Sequence, residues 1–139
     1  MVTGSAGEGT VRDWMTRNPA AVPDDCPIRT ALAGMRAAAI RHLLVLEDDR
    51  LVGILSTRDV GRLLVDSPPD ARLAEPVRTI MTEAPVAVGP DTPVTVAARA
   101  LLEAKIGALP VRDGERIVGI FTTADALEAL LAIVEAPVG

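Results

Sequence analysis

Two short segments of this 139-residue chain carry the residue types that could hold a ligand. In "GILSTRDV", Gly53 is followed by Ser56-x-x-Asp59; in "GIFTTADA", Gly119 is followed by Thr122-x-x-Asp125. A hydroxyl followed three residues later by an acid has the spacing of a capping box, which satisfies the orphan amides of a helix start and complements its dipole. The same pair has a second use. A carboxylate at a helix start can accept both hydroxyls of a ribose, while the neighbouring hydroxyl and the helix amides face a phosphate or a sugar edge. The glycine lets something approach the backbone closely. Such a site also needs an apolar slot for a base and cations for phosphate. Ile40 and Ile106, in "IRHLLV" and "IGALPV", can wall a flat ring, and Arg41, His42 and Arg58 supply the charge.

The motif occurs twice because the chain does. Val11–Leu64 aligns with Val77–Leu130 without a gap, and roughly twenty of the aligned positions are identical. Within the first copy, Ala20–Val22 reads as a short apolar strand. From Pro27 to Ala39 the apolar residues Ile28, Ala31, Leu32, Met35 and Ala38 recur at helical spacing. Leu43–Leu46 and Leu51–Leu55 are strands joined across "EDDR", where the second copy has "RDGER" with its Asp-Gly turn signal. A last helix runs from about Thr57 to Val65, and a short helical lead occupies Val11–Thr16. The expected order per copy is strand, helix, strand, strand, helix, so the fold class is α+β. The domains are a tail at 1–10, repeat one at 11–65, a proline-broken linker at 66–76, repeat two at 77–135 and a tail at 136–139. Neither copy buries much apolar surface alone, so the two are expected to pack together.

Thr92-Pro93 has the chemistry of a helix start, Thr supplying the capping oxygen and Pro the first helical position. Cys26-Pro27 stands there in the first copy, and Cys26 has no base or cationic neighbour to activate it, so it reads as a packing residue. Met15, Met35 and Met81 read as core fillers and Trp14 as a packing residue of the lead. The run Glu47–Asp49 reads as a solvated turn, with too few convergent oxygens for a hard cation.

Composition removes whole classes of function. A formal charge of −5 and one lysine, Lys105, leave no clustered cations to neutralise a phosphate backbone. Trp14 and Phe121 are the only aromatics, so single-stranded bases have no stacking platform. One cysteine and one histidine give neither an internal disulfide nor a zinc cage. Charges or prolines interrupt every apolar run short of a bilayer span, so no membrane partner and a cytoplasmic location are expected. No nucleophile elbow, paired-histidine metal motif or phosphate-binding loop points to an enzyme.

The strings "VRDWMT" and "IRHLLVLEDDRLVGILSTRD", with their partners "VRTIMT" and "IGALPVRDGERIVGIFTTAD", resemble a tandem pair of cystathionine-β-synthase-type (CBS) domains, the Bateman module, over about Val11–Leu131. The resemblance implies β-α-β-β-α repeats related by a pseudo-twofold axis and two clefts for adenosine-containing ligands: AMP, ADP, ATP or S-adenosylmethionine. It also implies a homodimer. It implies no required cofactor, the nucleotide being expected as a regulatory, energy-sensing ligand. Carried over residue by residue, one group comprises Thr122, Asp125, Thr16, Ala21, Ile40, Arg41 and His42, and the other Ser56, Arg58, Asp59, Thr82, Ala87, Ile106, Gly107 and Ala108. Ala124 stands where the first copy has Arg58, which implies unequal sites. With no catalytic, transport or DNA-binding domain alongside, output would pass to an effector protein in trans or through oligomer change. The alternative is a structural, protein-interaction dimerisation module whose aspartates serve only as helix caps.

Overall fold

A computed structural model of the chain describes residues 9–66, 68, 71–83 and 85–137. The short helix α1 (Val11–Trp14) precedes strands β1 (Thr16–Arg17) and β2 (Ala21–Pro23), helix α2 (Ile28–Ala38), strands β3 (His42–Glu47) and β4 (Arg50–Ser56), and helix α3 (Thr57–Asp66). The second half repeats the plan with a 3-10 turn (Val77–Thr79), β5 (Thr82–Glu83), α4 (Val94–Ala104), β6 (Ala108–Asp113), β7 (Arg116–Thr122) and α5 (Thr123–Val134). The expected α+β class is present, as are the two longer helices and the hairpin of each copy. Among the described residues no helix is long and apolar enough to cross a membrane.

The chain forms two compact units, and each takes its lead from the other repeat. One unit is Ala20–Pro85, so the lead of the second repeat lies in it; the other contains the chain up to Pro19 and from Val86 onward. In the first unit a four-stranded sheet has the order β2-β3-β4-β5, with β2 parallel to β3 and the remaining pairs antiparallel. Its core gathers Ile28, Ala31 and Met35 of α2, Leu43, Val45 and Leu55 of the hairpin, and Val60 and Leu63 of α3. Val77, from the exchanged lead, is fully buried there, and its amide donates to the Cys26 carbonyl at 2.8 Å. The second unit mirrors this arrangement: β1-β7-β6 form its sheet, and Val11 is buried with Val94, Ala97, Leu101, Leu109, Val111 and Phe121 while its amide donates to the Thr92 carbonyl at 2.8 Å.

Three local readings change. The lead helix stops at Trp14: Met15 is extended, and Thr16 belongs to β1, paired antiparallel with Ile120 of β7. A four-residue helix makes too few internal bonds to compete with strand pairing at a β-branched residue. Among the described residues the second copy also shows no counterpart of β2, and an isolated parallel bridge between Val88 and Val111 stands there instead. In the first copy the Leu44 amide donates to Ala20 and the Asp24 amide to Leu46, closing the ladder at both ends of β2. The aligned residues are Pro110 and Pro90, which have no amide hydrogen, so both closing bonds are lost. Finally, the Thr92 hydroxyl accepts from the Gly89 amide at 3.2 Å instead of capping α4, whose N-cap is Pro93.

Cys26 is buried, and desolvation, with Asp25 adding to it, pushes its thiol pKa up, the opposite of activation. Asp48 and Asp49 form the β3–β4 turn, both exposed and both at positive φ (49° and 65°), the conformation of a type I′ hairpin.

Candidate functional site

Both hydroxyl–acid motifs form at the junction between a strand and the helix that follows it. Strand β4 ends at Ser56 and α3 begins at Thr57; β7 ends at Thr122 and α5 begins at Thr123. The Ser56 amide donates to Asp59 Oδ2 at 2.9 Å, and the Asp59 amide donates back to Ser56 Oγ at 3.1 Å. The Thr122 amide donates to Asp125 Oδ2 at 2.9 Å, and the Asp125 amide to Thr122 Oγ1 at 3.2 Å. Both motifs are therefore closed capping boxes, and in each the carboxylate is held at a helix N-terminus.

The two carboxylates differ in what remains free. Asp125 is 7% exposed, and the Thr16 hydroxyl donates to both of its oxygens, at 3.3 Å to Oδ1 and 3.4 Å to Oδ2. Thr16 reaches it because β1 lies against β7. Asp59 is half-buried, and among the described residues no group donates to its Oδ1. Thr82, the counterpart of Thr16, is exposed on β5 opposite Ile54, in the same sheet as Ser56 but without a bond to Asp59.

The other expected residues fall at the same sheet ends. Ala21, Leu44, Ile54 and Thr82 form one row across the four strands. Further along β4, His42 pairs with Ser56, and the Arg41 carbonyl accepts from the Thr57 amide at 3.0 Å. Ile40 is half-buried against the core of this unit. Arg41 and His42, grouped by the resemblance with Asp125, thus belong to the unit that holds Asp59. Burial pushes the His42 pKa down; the Asp59 charge opposes that, and Arg41 and Arg58 reinforce it. Ser56, Arg58 and Asp59 thus stand at the start of α3, His42 pairs with Ser56 on the neighbouring strand and Arg41 precedes it, with Arg41 and Arg58 exposed and no donor to Asp59 Oδ1 among the described residues. In the other unit Ala108 pairs with Thr122, and the Gly107 carbonyl accepts the Thr123 amide at 3.0 Å. Ile106 packs against the core there, and Ala87 is half-buried just before the Val88 bridge.

The glycine that opens each motif faces the exchanged lead. A Cβ on Gly119 would sit 2.7 Å from Met15 Sδ and 2.8 Å from the Thr16 carbonyl oxygen; one on Gly53 would sit 2.9 Å from the Thr82 carbonyl oxygen and overlap Met81. Neither glycine has positive φ, so space and not conformation demands them. Met15 and Met81 thus cap these glycines from the partner lead. The visible signal was that Met and Gly recur together in both copies.

Comparison with known proteins places these units. The family model of the CBS domain matches residues 11–66 and again 77–132. A CBS domain-containing protein of Dictyostelium discoideum is 32% identical over 136 residues, covering 90% of this chain and 93% of that protein. A homoserine O-acetyltransferase of Methanococcoides burtonii is 32% identical over 118 residues, but the match spans only 23% of that enzyme. Among solved structures, CBSX2 in complex with AMP superposes with a TM-score of 0.75 at 29% identity, covering 91% of this chain and 99% of CBSX2. A CBS domain pair in complex with 5′-methylthioadenosine and S-adenosyl-L-methionine gives a TM-score of 0.79 at 26% identity, covering 88% of this chain and 96% of that one.

Proposed function

We propose that this chain, which belongs to the CBS domain family, is a regulatory module that binds an adenosine-containing ligand and signals through a change in conformation or assembly. The observation that carries the reading is the carboxylate of Asp59, fixed at a helix N-terminus by the Ser56 amide with no donor to Oδ1 among the described residues, in the unit whose adjoining strand and helix ends carry Arg41, His42 and Arg58. A vicinal diol suits that oxygen, and phosphate suits those cations. Asp125 with Thr122 is the second, weaker ribose acceptor, because Thr16 already occupies its oxygens. Thr82, Ala21, Ala87, Ile40, Ile106, Gly107 and Ala108 are proposed as base- and sugar-side contacts. Support comes from relatives solved with AMP, 5′-methylthioadenosine and S-adenosyl-L-methionine. The proposal includes a cytoplasmic homodimer read by an effector protein in trans.

A ligand favours one arrangement only through differential affinity for it. The test is thermal unfolding of nucleotide-stripped protein with AMP, ADP, ATP and S-adenosylmethionine in turn. A ligand at about a hundred times its Kd stabilises the fold by roughly 2.7 kcal/mol. Asp59→Ala is expected to remove most of that shift and Asp125→Ala less. If none of the four ligands moves the melt, the proposal fails. A second reading then leads: a dimerisation module whose acids are helix caps, favoured by the closed capping box at each motif.

A further inference from the structure

The two methionines that cover the motif glycines are both half-buried, so solvent reaches part of each residue, whereas Met35 of α2 is fully buried in its core. Met15 Sδ fills the place a side chain on Gly119 would take, 2.7 Å from an added Cβ, with the Thr16 carbonyl oxygen 2.8 Å from the same point. Around it the side chain packs on the apolar core of Val11, Leu109 and Phe121. Such a slot suits a thioether, which is apolar and compliant, and excludes a polar group that has no hydrogen-bond partner there. Little else holds this end of the lead. Strand β1 is two residues long, and the Thr16 hydroxyl reaches Asp125 at 3.3 and 3.4 Å, the long end of a hydrogen bond. Among the described residues that hydroxyl is the only donor to Asp125 Oδ1, because the Thr122 amide bonds Oδ2.

We propose that Met15 is a reversible oxidation site: a peroxide converts its thioether to the sulfoxide, the side chain leaves the Gly119 slot, and Thr16 releases Asp125. The sulfur lone pair attacks one peroxide oxygen, an S–O bond forms as the O–O bond breaks, and the second oxygen leaves as water, so sulfur loses two electrons and the peroxide gains them. A dithiol acting through a methionine sulfoxide reductase reverses the step, giving the thioether, a disulfide and water. The sulfoxide is polar and larger than the thioether by one oxygen, so it does not remain between the Gly119 backbone and the core. Thr16 is the next residue in the chain and moves with it, which leaves Asp125 held by its capping box alone, with Oδ1 free. Met81 covers Gly53 in the same way, but Thr82 makes no bond to Asp59, so oxidation there has no hydroxyl to release. The inference goes beyond the proposed ligand and does not depend on it.

Dilute hydrogen peroxide on the full chain, followed by peptide mass spectrometry, is expected to add one oxygen to Met15 about tenfold faster than to the buried Met35; equal rates overturn the site. Met81→Leu removes the other half-buried sulfur, so the effect that remains belongs to Met15. In that background, oxidation is expected to lower Tm by about 3–5 °C and to shift the emission of Trp14, the only tryptophan and the neighbour of Met15. Sulfoxide reductase with a dithiol should restore both. A melt and an emission that stay unchanged once Met15 carries the oxygen overturn the release of the lead. The link through Thr16 has its own measurement. Adding Thr16→Val removes the hydroxyl beforehand, so oxidation should then lower Tm by less; an equal drop with and without the hydroxyl overturns the release of Asp125. Nucleotide enters none of these readouts, so their failure is distinct from failure of the ligand reading.

Discussion

Replacing Gly119 by Ala should destabilise the protein, although Gly→Ala in a strand ordinarily does the reverse. At a position with ordinary φ and free space, losing glycine's extra unfolded-state freedom stabilises by about 0.4–1 kcal/mol. Gly119 has the ordinary φ but not the space: its Cβ would meet Met15 Sδ at 2.7 Å and the Thr16 carbonyl oxygen at 2.8 Å, well inside a normal contact of about 3.5–4.0 Å. Met15 can turn away, but the Thr16 backbone cannot retreat without opening the β1–β7 pairing. Overpacking of this kind costs about 1–3 kcal/mol, so the expected net loss is about 1–2 kcal/mol. With an unfolding entropy of about 2.1 cal/mol/K per residue over the chain, that lowers Tm by about 3–7 °C. The assay is a calorimetric or far-UV circular dichroism melt, with Gly34→Ala as the opposite control. Gly34 lies exposed in α2 with nothing within 4 Å of its Cβ position, so Ala there should stabilise by about 0.5–1 kcal/mol. In a Met15→Ala background the Gly119→Ala penalty should shrink without vanishing, because the carbonyl stays. A Gly119→Ala protein that melts higher than wild type, as Gly34→Ala should, would refute the claim that the exchanged lead lies against this glycine.

Thr16→Val removes the hydroxyl that Asp125 accepts and should cost about 1 kcal/mol in chemical denaturation, whereas Thr82→Val, at the aligned position with no such bond, should leave the midpoint unchanged. Helices α2 and α4 both end on a left-handed residue that is not glycine, Ala39 and Lys105, each at φ 56°; Ala39→Gly and Lys105→Gly should each stabilise by about 1 kcal/mol, and a lower melt in either would show that the cap geometry is wrong. The His42 pKa is depressed in the folded protein, so the folded state binds its proton less well than the unfolded chain does. Stability is therefore full above the unfolded pKa near 6.5 and is lost as pH falls from there through the folded value; His42→Gln should flatten the melt between pH 7.5 and 5.5 relative to wild type, and an unchanged slope would dismiss the burial of His42 as its cause.

The repeat, the helices and the hairpins were legible because each has a periodicity of its own. The apolar residues Ile28, Ala31 and Met35 recur at helical spacing and are buried as such, and the hydroxyl–acid spacing at Ser56 and Thr122 builds the capping boxes that such spacing implies. The exchange of leads was not legible in the letters themselves, although the resemblance already grouped Thr16 with Asp125 and Thr82 with Asp59. "VRDWMT" aligns with "VRTIMT" whichever body each one packs on, so Val11 and Val77 carry the same letter and the same burial under either connection. The loss of a second β2 was present in the sequence as Pro90 and Pro110, but a proline matters only for the bond its amide would have made, and that bond is known only from the partner strand.

The same reasoning explains why two acids with identical local spacing are not equivalent. Sequence proximity fixes the capping box, three residues long, and makes Asp59 and Asp125 look alike. What separates them arrives from far along the chain: Thr16 reaches Asp125 across 109 residues, while Thr82 on β5 makes no bond to Asp59. Under the proposed function this difference has a direction. A ribose that takes up Asp125 must compete with the hydroxyl that ties β1 to α5, so occupancy there loosens the exchanged lead, while a ribose on Asp59 meets an open Oδ1 and disturbs no such bond. On that proposal the Asp59 site is expected to fill first, and filling of the Asp125 site is expected to change how a lead is held.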